Sequence, residues 1–296
     1  MSTVPQSHRG ASRSPDPVAG KSCLVTGGTR GIGLEIARGL AERGAHVIIH
    51  GRTRASAEAA ATWIRSSVRD ARLEIVAADM SSFAQVREMA DSISRGRDQL
   101  DVLVNNAGLL MSRLQLSPDG YEMTFAVNHL APFLLTNLLM PNLERSGAGR
   151  VVTVASVAHR TGVIDFGNLK GEKGFSSFSF YCNSKLANIM FTMELARRID
   201  GGVTANCLHP GAINTGLYRR SKVLAPLFAL FGPLFPSAAD GADTGIYLAE
   251  APAVADISGA YFVKRRMRSP APQAFDADVQ QRLWRVSAEA TGVGLD

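Results

Sequence analysis

Six short runs rich in β-branched and aliphatic residues alternate with long stretches of helical periodicity: Cys23 to Thr26, Val47 to Ile49, Leu73 to Ala77, Val102 to Val104, Val151 to Val154 and Val203 to Leu208. Strands that are apolar throughout must be covered on both faces, and strands separated by helices pair in parallel, so this rhythm restricts the chain to an α/β fold. No composition break interrupts it before Cys207. The expectation is a single doubly wound domain: a parallel sheet of about seven strands with helices on both faces, ending with Tyr261 to Val263. Within the first helix Ile32, Ile36 and Leu40 recur at i, i+4 and i+8, and Gly44 is its stop signal. A later helical pattern runs from about Ala238 to Ala249.

With 46% hydrophobic and 20% charged residues in 296, the chain has enough apolar content for a sizeable core, which excludes disorder for the bulk. Residues 1–19, rich in Ser, Pro and Arg and without periodicity, are expected to form a mobile arm ahead of a domain spanning 20–296. They hold no apolar run of the kind a secretory signal needs, and no stretch reads as long enough to span a membrane. Cys23, Cys182 and Cys207 fall at unrelated spacings, so no disulfide framework and no zinc or other metal site is expected, and the location is expected to be reducing and cytoplasmic. The net charge is +6, but Lys264, Arg265, Arg266 and Arg268 supply four of the positive charges in one run, read as a solvated loop. No aromatic residue interleaves that run for base stacking, so no nucleic-acid partner is expected.

Thr26-Gly27-Gly28-Thr29-Arg30-Gly31-Ile32-Gly33 lies between the first strand and the first helix. There, backbone amides and a helix N-terminus can hold a pyrophosphate, and glycines let backbone approach phosphate and strand closely. The second strand ends His50-Gly51-Arg52 with no acid before Glu58, where an NAD site usually places Asp or Glu. Arg52 and Arg30 instead offer guanidinium groups suited to a 2′-phosphate, which favours NADP(H). Tyr181 and Lys185 are four apart and share one helix face. An ammonium there stabilises a phenolate, as general acid-base work near neutral pH by tyrosine requires.

The spacing TGxxxGxG, followed in order by Asn105-Asn106-Ala107-Gly108, Asn128, Ser156, Tyr181 to Lys185 and Pro210-Gly211, resembles the short-chain dehydrogenase/reductase family over about residues 20–265. The resemblance implies a Rossmann domain with a catalytic set of Asn128, Ser156, Tyr181 and Lys185. In such enzymes the tyrosine exchanges a proton with the substrate oxygen while hydride passes between nicotinamide and carbonyl carbon. It implies cofactor contacts at Gly27, Thr29, Arg30, Gly31, Ile32, Gly33, Arg52, Asp79, Met80, Asn106, Ala107, Gly108, Tyr181, Lys185, Pro210, Gly211, Ile213 and Thr215. For Asn128 the implied role is holding a relay water; the alternative is an amide that satisfies a neighbouring carbonyl. Ser156 and Tyr181 are 25 residues apart, more than is common in the family, so Gly162 to Phe178 must loop out between them.

Val127-Asn128-His129-Leu130 and Tyr181 to Asn188 look like the retinol dehydrogenase and WW-domain oxidoreductase branch. That likeness implies an apolar, ring-containing substrate of retinoid, steroid or aromatic-polyketide kind, and homodimers or homotetramers are common among relatives. Leu224 to Pro236 is almost wholly apolar with three prolines, too short to cross a bilayer and broken as a helix. It is open to three readings: a core loop, a membrane-surface segment, or a substrate lid over about 216–238, the last being the expectation, with Leu227, Phe228, Phe231 and Phe235 as contacts. A non-catalytic NADP-binding sensor of the same fold is the alternative function.

Overall fold

The computed structural model describes residues 17–199, 202–211 and 237–294. Its strands are β1 (Ser22–Val25), β2 (His46–Gly51), β3 (Arg72–Ala77), β4 (Val102–Asn105), β5 (Arg150–Val154), β6 (Thr204–His209), β7 (Tyr261–Val263) and β8 (Arg266–Arg268). They form one sheet in the order β3-β2-β1-β4-β5-β6-β7-β8. The first seven are parallel, and β8 runs antiparallel to β7. The helices are α1 (Gly31–Glu42), α2 (Arg54–Ser67), α3 (Phe83–Gly96), α4 (Met123–Phe125), α5 (Ala131–Arg145), α6 (Ser177–Arg198), α7 (Ala238–Glu250) and α8 (Ala277–Thr291).

Burial along the strands follows their two-residue period. Cys23 and Val25, Val47 and Ile49, and Val102 and Val104 belong to one apolar cluster with Ile36, Leu40, Ile64 and Ile246. Leu24, Ile48 and Leu103 point the other way, into a second cluster with Phe133, Leu135, Phe191 and Trp284. Two covered faces explain why the central strands carry no alternation of polar residues.

Four expectations change. Lys264 to Arg268 is solvated as expected, but it is a tight hairpin rather than a loop: Lys264 (φ 50°) and Arg265 (φ 58°) make the turn and Arg266–Arg268 forms β8. The left-handed turn is held because the Arg265 amide donates to Thr244 Oγ1 (3.1 Å) and its guanidinium Nε to Asp243 Oδ2 (2.7 Å). Val18, inside the stretch expected to be a mobile arm, is fully buried and its carbonyl accepts from the Lys21 amide (3.0 Å). The continuous helical stretch Met123–Arg145 has the length and apolarity to cross a membrane, but 78% of its most apolar window is buried in the protein. The core uses that apolar length, with Phe125, Leu130, Phe133 and Leu134 inside. Beyond β7 lies α8, capped at Asp276 and stopped by Gly292 (φ 64°), which the sequence reading did not identify.

Candidate active site

In the strand order, β1 sits between β2 and β4, so chains leaving its C-terminal end and that of β4 diverge and open a crevice. The turn after β1 and the loop after β4 close its floor. Thr26 Oγ1 donates to the Val104 carbonyl (3.1 Å) and accepts from the Asn106 and Ala107 amides (2.9 and 3.0 Å). Asn106 Nδ2 donates to the Thr26 and Gly27 carbonyls (2.8 and 3.2 Å). Gly33 lies against that pair: a Cβ there would stand 2.2 Å from Asn106 Nδ2 and 2.4 Å from the Gly27 carbonyl oxygen.

Helix α1 begins at Gly31 with no side-chain cap at Arg30. By contrast Thr53, Ser82, Ser176, Ser237 and Asp276 cap α2, α3, α6, α7 and α8. An N-terminus left with free amides, preceded by a glycine turn in a switch-point crevice, suits a phosphate. Thr29, Gly31 and Ile32 lie on this same turn and first helical residues.

His50, given no role from sequence, fastens the turn. The Gly27 amide donates to its Nδ1 (3.0 Å) and its Nε2 faces the Ala78 carbonyl (3.0 Å). Those partners require a neutral ring protonated at Nε2. Burial accordingly holds His50 below the ordinary histidine value of 6.5. Folding therefore favours the neutral form, and its contribution is complete above 6.5 and lost as pH falls from there through the lower folded value. Between about pH 7.5 and about pH 5.5 the Tm of the wild type is expected to fall further than that of His50→Gln, which does not titrate. Equal falls would mean that His50 carries none of the acid sensitivity. The signal available in the sequence was a polar residue near the end of an otherwise apolar strand.

Arg52 leaves β2 beside this turn: a Cβ on Gly51 would meet Thr29 Cγ2 at 2.7 Å. Arg30 and Arg52 are exposed, and among the described residues neither is in an ion pair. The nearest acid after β2, Glu58, is held by Arg54 Nε (2.8 Å). Asp79 Oδ1 accepts from the amide and hydroxyl of Ser81 (2.9 and 2.8 Å), and Met80 is buried under the start of α3.

Across the crevice, α6 carries Tyr181 and Lys185, both nearly buried, with Lys185 Nζ 5.8 Å from the centre of the Tyr181 ring. Lys185 Nζ donates to the Val154 carbonyl at the end of β5 (2.9 Å) and lies near Gly108. Burial pushes its ammonium down to about 8. Ser156 follows β5 with Oγ accepting from the Ala158 amide (3.2 Å). Its turn is strapped to α6, as Thr161 Oγ1 donates to Cys182 Sγ (3.3 Å) and the Val163 amide to Asn183 Oδ1 (2.9 Å). Residues 162–176 then loop out before α6 starts.

Asn128 sits in a widened π turn, Ala126–Leu130. Its Nδ2 donates to the Leu109 carbonyl (2.9 Å) and Ser184 Oγ (3.0 Å), and its Oδ1 accepts from the Leu109 amide (2.8 Å). The side chain therefore ties the β4 loop to α6, the arrangement of a satisfied amide. Pro210 and Gly211 follow β6 at the same end of the sheet. Ile213, Thr215, Leu227, Phe228, Phe231 and Phe235, and nearly all of the segment at 216–238, lie outside the described residues.

A short chain dehydrogenase family profile matches residues 21–223. The chain belongs to that family. This short chain dehydrogenase is 40% identical over 285 residues to human retinol dehydrogenase 12, covering 96% of the chain and 90% of the relative. It is 39% identical over 292 residues to human retinol dehydrogenase 13, covering 96% and 88%. Among solved structures, an uncharacterized protein from Mycobacterium paratuberculosis matches with TM-score 0.78 and 31% identity, over 95% of this chain and 97% of that one. A gluconate 5-dehydrogenase from Burkholderia cenocepacia, in complex with NADP and tartrate, matches with TM-score 0.66 and 26% identity, over 82% and 93%.

Proposed function

We propose that this short chain dehydrogenase is an NADP(H)-dependent oxidoreductase that interconverts a carbonyl and an alcohol on an apolar, ring-containing substrate, with Tyr181 as general acid and base. The observation that carries the reading is a buried lysine one helical turn from a buried tyrosine, across a crevice from an uncapped, glycine-preceded helix N-terminus. Bound NADPH supplies the hydride. The α1 N-terminus would hold the pyrophosphate and Arg30 and Arg52 the 2′-phosphate, while Lys185, which among the described residues spends one of its three donors on Val154, would offer the others to a ribose. The Lys185 ammonium favours the Tyr181 phenolate, so the tyrosine can give up and take back a proton at the substrate oxygen near neutral pH. Ser156 Oγ orients that oxygen.

The similarity to retinol dehydrogenases supports an apolar substrate, and the apolar run Leu224 to Pro236 is the reason for assigning Leu227, Phe228, Phe231 and Phe235 as its contacts. Cys23, Cys182 and Cys207 are free and buried, which supports a reducing compartment. The test is NADPH oxidation across carbonyls of increasing apolar size, run on the wild type, Arg30→Ala and Arg52→Ala. Bulky apolar ketones are expected to react best, and each arginine variant is expected to lose about ten- to a hundredfold in NADP affinity with NAD binding little changed. Equal losses for both cofactors would assign the arginines to the fold or the pyrophosphate. Absence of turnover with every carbonyl would favour a sensor.

A further inference from the structure

Behind Ser156 lies a buried histidine that the proposed chemistry does not use. His159 is fully buried in the turn Val157–Thr161, for which Ser156 is the N-terminal residue. Its Nδ1 faces the Ser156 carbonyl at 2.6 Å, and its Nε2 accepts from the Ala271 amide at 3.0 Å, across 112 positions of sequence. A ring that accepts at Nε2 must carry its proton at Nδ1, so the imidazole donates to the serine carbonyl while accepting from the distant amide. The Tyr261 ring stands edge-on to it, with centroids 5.2 Å apart. Gln273 Nε2 adds a bond to the Arg160 carbonyl (3.0 Å), and His209 Nδ1 accepts from the Val157 amide (3.2 Å). The peptide group that follows Ser156 is thus gripped by two histidines, His159 at its carbonyl and His209 at its N–H.

We infer that His159 is a positioning residue for Ser156: its imidazole bridges the serine carbonyl to the Ala271 amide and so couples the hydroxyl's orientation to the segment leading into α8. The inference rests on the reading that Ser156 orients the substrate oxygen. Serine Oγ has one torsion between it and the backbone, so a shift of the Ser156 Cα, which release of its carbonyl permits, carries the hydroxyl with it. A catalytic group displaced by about 1 Å can cost about a hundredfold in rate.

Two substitutions separate the two bonds. In His159→Asn the amide nitrogen takes the place of Nδ1 and keeps the bond to Ser156, while the acceptor for Ala271 is lost. In His159→Gln the amide oxygen takes the place of Nε2 and keeps the Ala271 bond, while the donor to Ser156 is lost. With NADPH and a bulky apolar ketone, H159Q is expected to lower kcat by about 10- to 100-fold with KM for NADPH within about twofold of wild type. H159N is expected to restore kcat to within about threefold even where its Tm falls as far as that of H159Q. If kcat tracks Tm alike in both, or stays at the wild-type value in both, His159 only fills space. Ala271→Pro serves if neither folds, because Ala271 already has φ near −65° and proline deletes the amide donor and sets its Cδ where the amide hydrogen met His159 Nε2, so the bridge is broken from the Ala271 side. It is expected to lower kcat at unchanged KM for NADPH, and an unchanged kcat removes the coupling. Ser156→Ala is measured alongside: wild-type kcat in that variant overturns the reading on which the inference rests, whereas a slow S156A beside a fast H159Q overturns only the role of His159.

Discussion

Tyr181→Phe is expected to lower kcat by about 10² to 10⁴ while the Kd for NADPH stays within about twofold. The ring is 5% exposed, so phenylalanine keeps the packing of this stretch of α6 and only the hydroxyl is removed. Lys185 keeps its bond to the Val154 carbonyl, which does not depend on the phenol, and so stays in place for the ribose contact proposed for it. What is lost is the proposed proton donor, whose ring centre lies 5.8 Å from the Lys185 ammonium. Single-turnover rates with pre-bound NADPH, together with cofactor binding by fluorescence, check both halves. A loss under tenfold would show that another group delivers the proton, and a parallel loss of binding would assign Tyr181 to the cofactor pocket.

Gly33→Ala is expected to lower Tm by about 3–10 °C, from an overpacking cost of about 1–3 kcal/mol, and to weaken NADPH binding by more than tenfold. The added methyl is forced against Asn106 Nδ2 and the Gly27 carbonyl, neither of which can withdraw alone. Moving Asn106 breaks its bonds to Thr26 and Gly27, and moving Gly27 disturbs the amide bound to His50. The damage therefore falls on the turn proposed to receive the pyrophosphate. Thermal unfolding with and without NADPH separates the two effects: if the variant is stabilised by cofactor as much as the wild type is, the turn has absorbed the methyl and the close fit is unnecessary.

The seven parallel strands were legible because each is a short apolar run that both faces of the sheet demand, and the crevice was legible because glycines cluster where β1 meets α1. β8 was not, because three exposed residues, Arg266, Met267 and Arg268, bury nothing and show no alternation. Helix α8 did carry a signal, with Leu283, Trp284, Ser287, Ala288 and Thr291 on one buried face and Asp276 at its start. Tyr181 and Lys185 could be paired from spacing alone because one helix carries both. His159 and Ala271 could not, since their bond joins a turn after β5 to a segment beyond β8, and no local pattern encodes such a meeting.

The two rims of the sheet bear on how copies of this protein behave at high concentration. A rim strand offers unpaired backbone groups to any passing chain, and the usual protection is charge, shortness or a sharp twist. At one rim β8 is three residues long, turns sharply out of β7 and carries Arg266 and Arg268 in solvent. At the other, β3 carries Arg72 and Glu74, the latter held by the Arg97 guanidinium. Joining two copies rim to rim would bring like guanidinium groups together at β8 or require the Glu74 and Arg97 pair to open at β3. Extension of the sheet from one copy into the next is thereby disfavoured at both rims.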